Sequence, residues 1–317
     1  MSDAIVAEHL QKRFGGVRAV ADISLVVPRG ARFGLIGQNG AGKTTFIKML
    51  LGITRPDEGR IAILDGDPED TAVRRRIGYL PERLAIPPSF TALSFLDSVA
   101  RLKGVPSSQR LAECKDLLHH VGLEESAWSR KTGGYSKGRR QRTGLAAALV
   151  GQPELLILDE PTDGIDPVGR KQIRDVILEA AKGGATVFLN SHLLAETEKV
   201  CDHVAVLHQG RVVRSGTLAT LQRKDSFRVV FLASATDQST IERAQTFGFV
   251  VDTERSAGDS DRLVTRFLGT DAAALSRALS RALHEGLVVL EVSAELVELE
   301  TILESAMQTA PSAREAA

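Results

Sequence analysis

The chain has 317 residues, of which 43% are hydrophobic and 25% are charged, and its 40 basic side chains balance its 40 acidic ones. The length and composition are typical of a globular protein of two domains. The lack of net positive charge argues against nucleic acid as a partner, and the presence of only two cysteines excludes a disulfide framework. The first residues lack the regions of a signal peptide and no apolar run approaches the ~18 residues of a membrane span, so we expect a cytoplasmic protein.

Short apolar runs separated by glycine and proline predict strands at residues 5–10, 23–27, 33–36 and 60–64. A phosphate-binding loop follows the third of these strands, because residues 37–44 read Gly-Gln-Asn-Gly-Ala-Gly-Lys-Thr. A helix is predicted at residues 45–51, so the context is strand, loop and helix.

The residue types in this loop suit a polyphosphate. Glycines let successive backbone N–H groups point inward, and the helix N-terminus adds partial positive charge. Lys43 can neutralise the terminal phosphates, and the Thr44 hydroxyl can bind Mg²⁺. The candidate nucleotide-binding residues of this segment are Gly37, Asn39, Gly40, Ala41, Gly42, Lys43, Thr44 and Thr45.

Residues 84–143 differ in character, because apolar side chains recur there at helical spacing, and we predict an inserted helical subdomain. Unbroken apolar runs then appear at residues 155–158 and 186–189, as is typical of strands buried on both faces of a parallel sheet.

Polar residues end both runs. Asp159 and Glu160 follow the first, and Asn190, Ser191 and His192 follow the second. A carboxylate at Asp159 can hold Mg²⁺, and Glu160 can orient or deprotonate a water that attacks a γ-phosphate. Two acids that cap the next helix are the alternative for this pair on its own. Since ligands of open α/β sheets lie beyond the carboxyl ends of the strands, three strands would deliver polar groups to one edge.

A charged segment at residues 222–225 predicts a linker between a first domain of residues 1–222 and a second of residues 226–317. In the second domain we predict strands at 227–232, 249–253, 263–267 and 287–292, and helices at 238–246 and 272–284, with a further helix at 296–307. The order β-α-β-β-α-β is the ferredoxin-like pattern.

The order of the motifs resembles the ATP-binding subunit of an ABC transporter over about residues 4–220. Residues 77–82 are similar to the family's Q-loop, 135–142 to its signature motif, 155–161 to its Walker B motif and 163–166 to its D-loop, and His192 to its switch histidine. The resemblance implies an α/β phosphate-loop NTPase core with a parallel sheet, an antiparallel β subdomain and an inserted helical subdomain, plus a smaller α+β C-terminal accessory domain.

The resemblance also implies roles for individual residues. Two subunits, expected to be a homodimer, would bury two ATP molecules head to tail, with Ser136 and Gly138 of each meeting the γ-phosphate held by the other. His192 would hydrogen-bond that phosphate beside the catalytic Glu160. Phe14 would stack on adenine. Val20 and Asp166 would also contact the nucleotide. The expected Mg²⁺ ligands are Thr44, Glu82 and Asp159, and Glu82 is also a catalytic candidate.

Three features depart from the general family pattern. Glu82 replaces the usual glutamine, and Lys137 and Arg139 alter the signature, two changes that resemble the exporter class for drugs or polysaccharides. Asp163 adds a carboxylate to the D-loop. We hypothesise that Asp163 repels the bound triphosphate; the alternatives are that it faces solvent or pairs with Arg139 of the partner subunit.

The expected function is ATP hydrolysis that powers a separate membrane permease, most simply an exporter, from the inner face of the cell membrane. The permease would contact the helices around residues 84–121. A soluble ABC-type ATPase acting on nucleic acid or ribosomes is the alternative, although the neutral charge and single ATPase unit argue against it. A phosphate-loop kinase would not need residues 136–142 or His192. The transported substrate is not encoded in this chain.

Overall fold

The computed structural model describes residues 3–233, 237–252, 261–269 and 271–309. They form two compact units. The first unit consists of two segments, the chain up to Leu218 and the chain from Leu303 onward, and the second unit is Ala219–Ile302. Within the described ranges, no helix has both the length and the apolar character that crossing a membrane requires.

A nine-stranded mixed sheet is the centre of the first unit. Its strands are β1 (Asp3–Phe14), β2 (Val17–Pro28), β3 (Arg32–Ile36), β4 (Glu58–Ile63), β5 (Ile77–Leu80), β6 (Leu155–Asp159), β7 (Thr186–Asn190), β8 (His203–His208) and β9 (Arg211–Thr217). They lie in the order β4-β1-β2-β9-β8-β3-β7-β6-β5.

This sheet has a parallel and an antiparallel part. Strand β3 pairs in parallel with β7 and β8, and β6 pairs in parallel with β5 and β7. Strands β1, β2 and β4 pair antiparallel. Every residue of β6 and β7 is buried. The predicted parallel sheet with buried central strands and the predicted antiparallel subdomain are therefore confirmed.

Nine helices are described for this part of the chain: α1 (Lys43–Leu50), α2 (Thr71–Arg75), α3 (Ala92–Lys103), α4 (Ser107–His120), α5 (Glu125–Trp128), α6 (Lys137–Leu149), α7 (Pro167–Lys182), α8 (Leu194–Val200) and α9 (Leu218–Gln222). Helices α3 to α5 form the insertion between β5 and α6. Thr91 begins α3 with a capping box to Ser94, and Gly104 ends it in the left-handed conformation. The insertion was expected to end at residue 143, but helix α6 continues past this residue to Leu149. Residues 144–149 are buried in the core, which explains why the helix extends beyond the expected boundary.

The second unit contains a four-stranded antiparallel sheet. Its strands are β10 (Arg223–Leu232), β11 (Phe249–Val251), β12 (Arg262–Leu268) and β13 (Val289–Leu296), in the order β11-β12-β10-β13. The helices that follow β10, β12 and β13 are α10 (Gln238–Thr246), α11 (Ala272–His284) and α12 (Leu299–Thr309). Phe231 and Phe249 pack edge to face in its core, with ring centroids 5.1 Å apart. The chain order and antiparallel pairing agree with the ferredoxin-like prediction.

Two predicted segments of this unit differ from the structure. Residues 222–225 are not a linker, because Gln222 ends α9 and Arg223 already pairs with Leu296 in the sheet. The charged side chains there are exposed at the end of a strand, which gives them the composition of a linker. Leu296 belongs to β13 and not to the last helix. Thr253 of the predicted strand 249–253 lies outside the described residues, as do residues 310–317 of the predicted second domain.

Candidate active site

A cleft of about 580 Å³ lies where β3, β6 and β7 end. Its walls bring together residues that are far apart in the sequence. The predicted residues that line it are Asn39, Gly40, Gly42, Lys43, Thr44, Thr45, Glu82, Glu160 and His192, and the others are Val17, Arg18, Ala19, Asp163 and Asn190.

The loop between β3 and α1 is shaped for an anion. Gly42, the N-cap of α1, has φ 105°, and a Cβ there would lie 2.5 Å from the backbone oxygen of Ala19. Only glycine fits this position. No side chain among the described residues caps α1, so the first N–H groups of the helix are open to a ligand.

Lys43 is the buried cation of the cleft. Its Nζ donates to the backbone oxygens of Gly37 at 2.6 Å and Gln38 at 3.0 Å. An ammonium has three N–H groups, so one is left for a phosphate. Burial lowers the pKa of Lys43, while the carboxylates of Glu160, Asp159 and Glu82 act in the opposite direction. A bound polyphosphate would further favour the charged amine.

Asp159 lies behind the cleft surface. It is 2% exposed, and burial raises the pKa of its carboxyl group. Nδ2 of Asn190 donates to its Oδ1 at 2.5 Å. The two residues are paired in register across β6 and β7. Asn190 lines the cleft, whereas Asp159 reaches it only through its neighbours.

Glu160 and His192 form a hydrogen-bonded pair at the cleft. The backbone N–H of His192 donates to Oε1 of Glu160 at 2.9 Å, and Nδ1 of His192 lies 2.8 Å from Oε2. Burial raises the pKa of Glu160, and His192 opposes that rise. Glu160 also has φ 52°, an uncommon conformation for a residue with a side chain. A carboxylate with a raised pKa at a cleft is a candidate general base.

The same end of the cleft suits Mg²⁺. The hydroxyl of Thr44 and the carboxylate of Glu82 line it, and the carboxylate of Asp159 lies behind its surface. Oxygen ligands are the ones Mg²⁺ prefers. Oδ1 of Asn190 is buried and has no hydrogen-bond donor among the described residues. Mg²⁺ usually keeps several waters, any of which could supply that donor. The residues present therefore fit the cation.

Three predicted residues lie away from the cleft of their own chain. Ser136 caps α6, its Oγ accepting from the N–H of Arg139 at 3.3 Å. Asp166 caps α7 by accepting from the N–H of Gly169 at 2.9 Å. At Gly138 a Cβ would make only an ordinary contact, 3.6 Å from Cδ1 of Ile165. Within the part of the chain that the structure describes, no contact requires glycine at that position.

Val20, Ala41 and Phe14, which were also predicted, do not line the cleft. Val20 is fully buried in the core, because strand alternation turns Ala19 and not Val20 toward the cleft. Ala41 is also buried, so only its backbone can contact a ligand. Phe14 is 52% exposed at the end of β1 and carries Lys12 Nζ 5.6 Å from its ring centroid. It does not line the cleft, whereas its hairpin partner Val17 does.

Asp163 has a partner that the sequence did not indicate. Its Oδ2 lies 2.6 Å from Nζ of Lys137 in the same chain, and this hydrogen bond lowers the pKa of Asp163. Arg139, which was expected to reach Asp163 only from the partner subunit, pairs within its own chain with Glu124 at 2.6 Å. The Asp163 carboxylate that lines the cleft is therefore compensated within its own chain.

Lys137→Ala should weaken ATP binding by about 1 kcal/mol, or roughly fivefold in Kd, because it leaves the negative charge of Asp163 uncompensated in the cleft. Asp163→Ser should restore affinity when added to Lys137→Ala. Calorimetry with ATP at low and high salt measures both effects, which should shrink as salt screens the charges. An equal loss at both salt concentrations would show that Lys137 acts in another way.

A further feature of the cleft is the turn between β8 and β9. Gln209 and Gly210 both have positive φ, 46° and 72°, as the tightest hairpin turns require. The N–H of Gly210 donates to the oxygen of Ala41 at 2.9 Å, and its oxygen accepts from the N–H of Ala21 at 2.9 Å. This turn ties the phosphate loop to β2. The Gln-Gly pair between two apolar runs was the available sequence signal.

Comparison with known proteins gives concordant matches. The family model described as ABC transporter matches residues 20–163. An uncharacterised ABC transporter ATP-binding protein of Nostoc sp. is 45% identical over 199 residues, 62% of this chain and 59% of the relative. This match thus spans less than two thirds of the relative's length. The daunorubicin resistance ATP-binding protein of Streptomyces coeruleorubidus is 36% identical over 82% of this chain and 84% of its own.

A solved structure resembles the first unit. It is described as the ATP-binding subunit of an ABC transporter and is 31% identical in sequence. The alignment covers 69% of this chain and 91% of the other, with a TM-score of 0.65. The sequence and fold comparisons therefore indicate the same family.

Proposed function

The chain belongs to the family of ABC transporter ATP-binding proteins, and from this premise we propose that it hydrolyses ATP to drive a separate membrane permease. The observation that carries the proposal is the convergence of Lys43, Glu160 and His192 on one cleft from three strand ends. These groups can bind a triphosphate, activate water and contact the terminal phosphate, respectively.

The residues of the cleft divide the chemistry as follows. The loop N–H groups and Lys43 hold the phosphates, and Glu160 accepts a proton from the attacking water. His192 holds both oxygens of the Glu160 side chain and so fixes its direction. Mg²⁺, held by Thr44 and by Glu82 and Asp159 directly or through water, would neutralise charge on the phosphates. Val17, Arg18 and Ala19 would border the base and sugar, with Phe14 at the edge.

We further propose a head-to-tail homodimer. Ser136 and Gly138 do not line the cleft of their own chain, and a Cβ at Gly138 would make only an ordinary contact, 3.6 Å from Cδ1 of Ile165. The N-terminus of α6 can favour an anion, so these residues suit the terminal phosphate held by the partner. In this arrangement Asp166 shapes the adjoining loop by capping α7.

The proposed direction of transport is export. The chain would lie at the inner face of the cell membrane, where it is held by its permease. Glu82 and the Ser-Lys-Gly-Arg sequence at residues 136–139 resemble the exporter class, and one relative is named for daunorubicin resistance. Helices α3 and α4 expose Leu102 and Leu111, an apolar surface suited to the permease. No observation favours a nucleic-acid or ribosomal role.

Lys43→Ala should weaken ATP binding at least tenfold, because a charge-assisted hydrogen bond is worth about 1.5–3 kcal/mol. Calorimetry with ATP measures the change, and thermal melting checks the loop that Lys43 also stabilises. Lys48→Ala is the matched control, since Lys48 is an exposed lysine of the same helix. Equal affinities for the two variants would contradict nucleotide binding in this cleft.

A further inference from the structure

Asn190 is the residue that connects the buried Asp159 to the cleft. It is 3% exposed and lines the cleft, while Asp159 does not. Its amide nitrogen donates to Asp159 at 2.5 Å. Its backbone oxygen accepts from the N–H of Glu160 at 2.8 Å. The end of β7 thus contacts both Asp159, the last residue of β6, and Glu160, which follows it.

The other half of the Asn190 amide is unused. A carboxylate oxygen can accept only from the amide nitrogen, so Oδ1 is the atom left over. In the described part of the chain this buried oxygen has no donor. A buried acceptor left unpaired destabilises the protein, which makes a bound water its natural donor.

We propose that Asn190 is a positioning residue for the Mg²⁺ that accompanies the nucleotide. Its Nδ2 holds one oxygen of Asp159 and leaves the other free toward the cation, while its Oδ1 accepts from a water bound to the cation. Groups that orient metal ligands in this way typically change metal affinity by 10–100-fold when they are removed. The inference rests on the proposed function only in requiring a nucleotide with its cation.

A purely structural role would give a different result. The hydrogen bond to Asp159 could serve only to join β6 and β7, whose backbones already pair at this position. If the hydrogen bond had only this role, its removal would lower thermal stability and would weaken nucleotide binding equally with and without Mg²⁺. A positioning role predicts that the loss appears only when Mg²⁺ is present.

The variants separate the two roles. Asn190→Leu keeps the number and branching of the side-chain heavy atoms and removes both polar atoms. Asn190→Ser keeps a hydroxyl that can donate and accept. Ser191→Ala is the matched control, because Ser191 is equally buried but its Oγ accepts from the N–H of Leu193 and does not contact Asp159.

The measurement is calorimetry of ADP binding without Mg²⁺ and over a Mg²⁺ titration. We expect Asn190→Leu to bind ADP without Mg²⁺ as tightly as the wild type does. The Mg²⁺ concentration at which half of the Mg²⁺-dependent change in ADP affinity is reached should be about 10–100-fold higher in this variant. Asn190→Ser should recover part of this loss, and it also serves if the leucine variant is unstable. Ser191→Ala should match the wild type.

Two outcomes would overturn the proposal. One is an unchanged Mg²⁺ requirement in both Asn190 variants, and the other is an equal loss of ADP affinity with and without Mg²⁺. If the wild type itself bound no nucleotide, the proposed function would fail, and the role of Asn190 with it. If the wild type bound nucleotide and the Asn190 variants had the same Mg²⁺ requirement as the wild type, only the positioning role would be overturned.

Discussion

Glu160→Gln is expected to lower steady-state ATP hydrolysis by at least about a hundredfold, since a general base contributes roughly 10²–10⁴-fold to the rate. ATP affinity should be nearly unchanged, because glutamine has the same shape and its amide oxygen can still accept from the N–H of His192, 2.9 Å from Oε1 in the wild type. Phosphate release and ATP calorimetry measure the two quantities. The variant should also accumulate as an ATP-bound dimer, which light scattering would detect.

Glu82→Gln is the control for this experiment. It removes another carboxylate from the same cleft, but Glu82 does not contact His192, and glutamine is the residue usual in the family at this position. We expect a much smaller loss of turnover. Hydrolysis by Glu160→Gln within tenfold of the wild-type rate would rule out Glu160 as the base.

Gly138→Asp should abolish hydrolysis without weakening ATP binding to the monomer. Damage to the fold is not expected, because a Cβ at Gly138 has only an ordinary contact and a carboxylate near the N-terminus of α6 is favourable for the helix. The same carboxylate would repel a triphosphate held by the partner. ATPase assays, ATP calorimetry and thermal melting measure these effects.

A graded variant and a mixing experiment sharpen this test. Gly138→Ala should raise helix stability by about 0.5–1 kcal/mol and still reduce turnover, which separates folding from activity. Mixing Gly138→Asp with Lys43→Ala protein should rebuild one complete site per heterodimer. Wild-type hydrolysis by Gly138→Asp alone would contradict a shared site.

Local patterns predicted much of the site. The spacing of residues 37–44 after an apolar run determines a strand, a loop and a helix, and the structure has these elements in place. Unbroken apolar runs identified β6 and β7, and parallel pairing brings their ends together whatever the rest of the chain does. Glu160 and His192 could therefore be expected to lie close to the phosphate loop.

Contacts that depend on register or on side-chain direction could not be predicted. Val20 and Ala19 are both small and apolar, so the sequence does not show which of them faces the cleft. Asn190 becomes the partner of Asp159 only once the register of β6 and β7 is known. Lys137 and Asp163 lie on different elements, 26 residues apart, and their ion pair requires the tertiary fold.

The turn at Gly210 bears on how this protein can evolve. It is a hairpin between two strands, where insertions are ordinarily tolerated, yet Gly210 is buried and its backbone holds both the phosphate loop and β2. A longer turn would move the phosphate side of the cleft relative to Val17, Arg18 and Ala19, the first residues of β2. Homologues that bind the same nucleotide should therefore keep the length of this turn, even where the sequence of the flanking strands diverges.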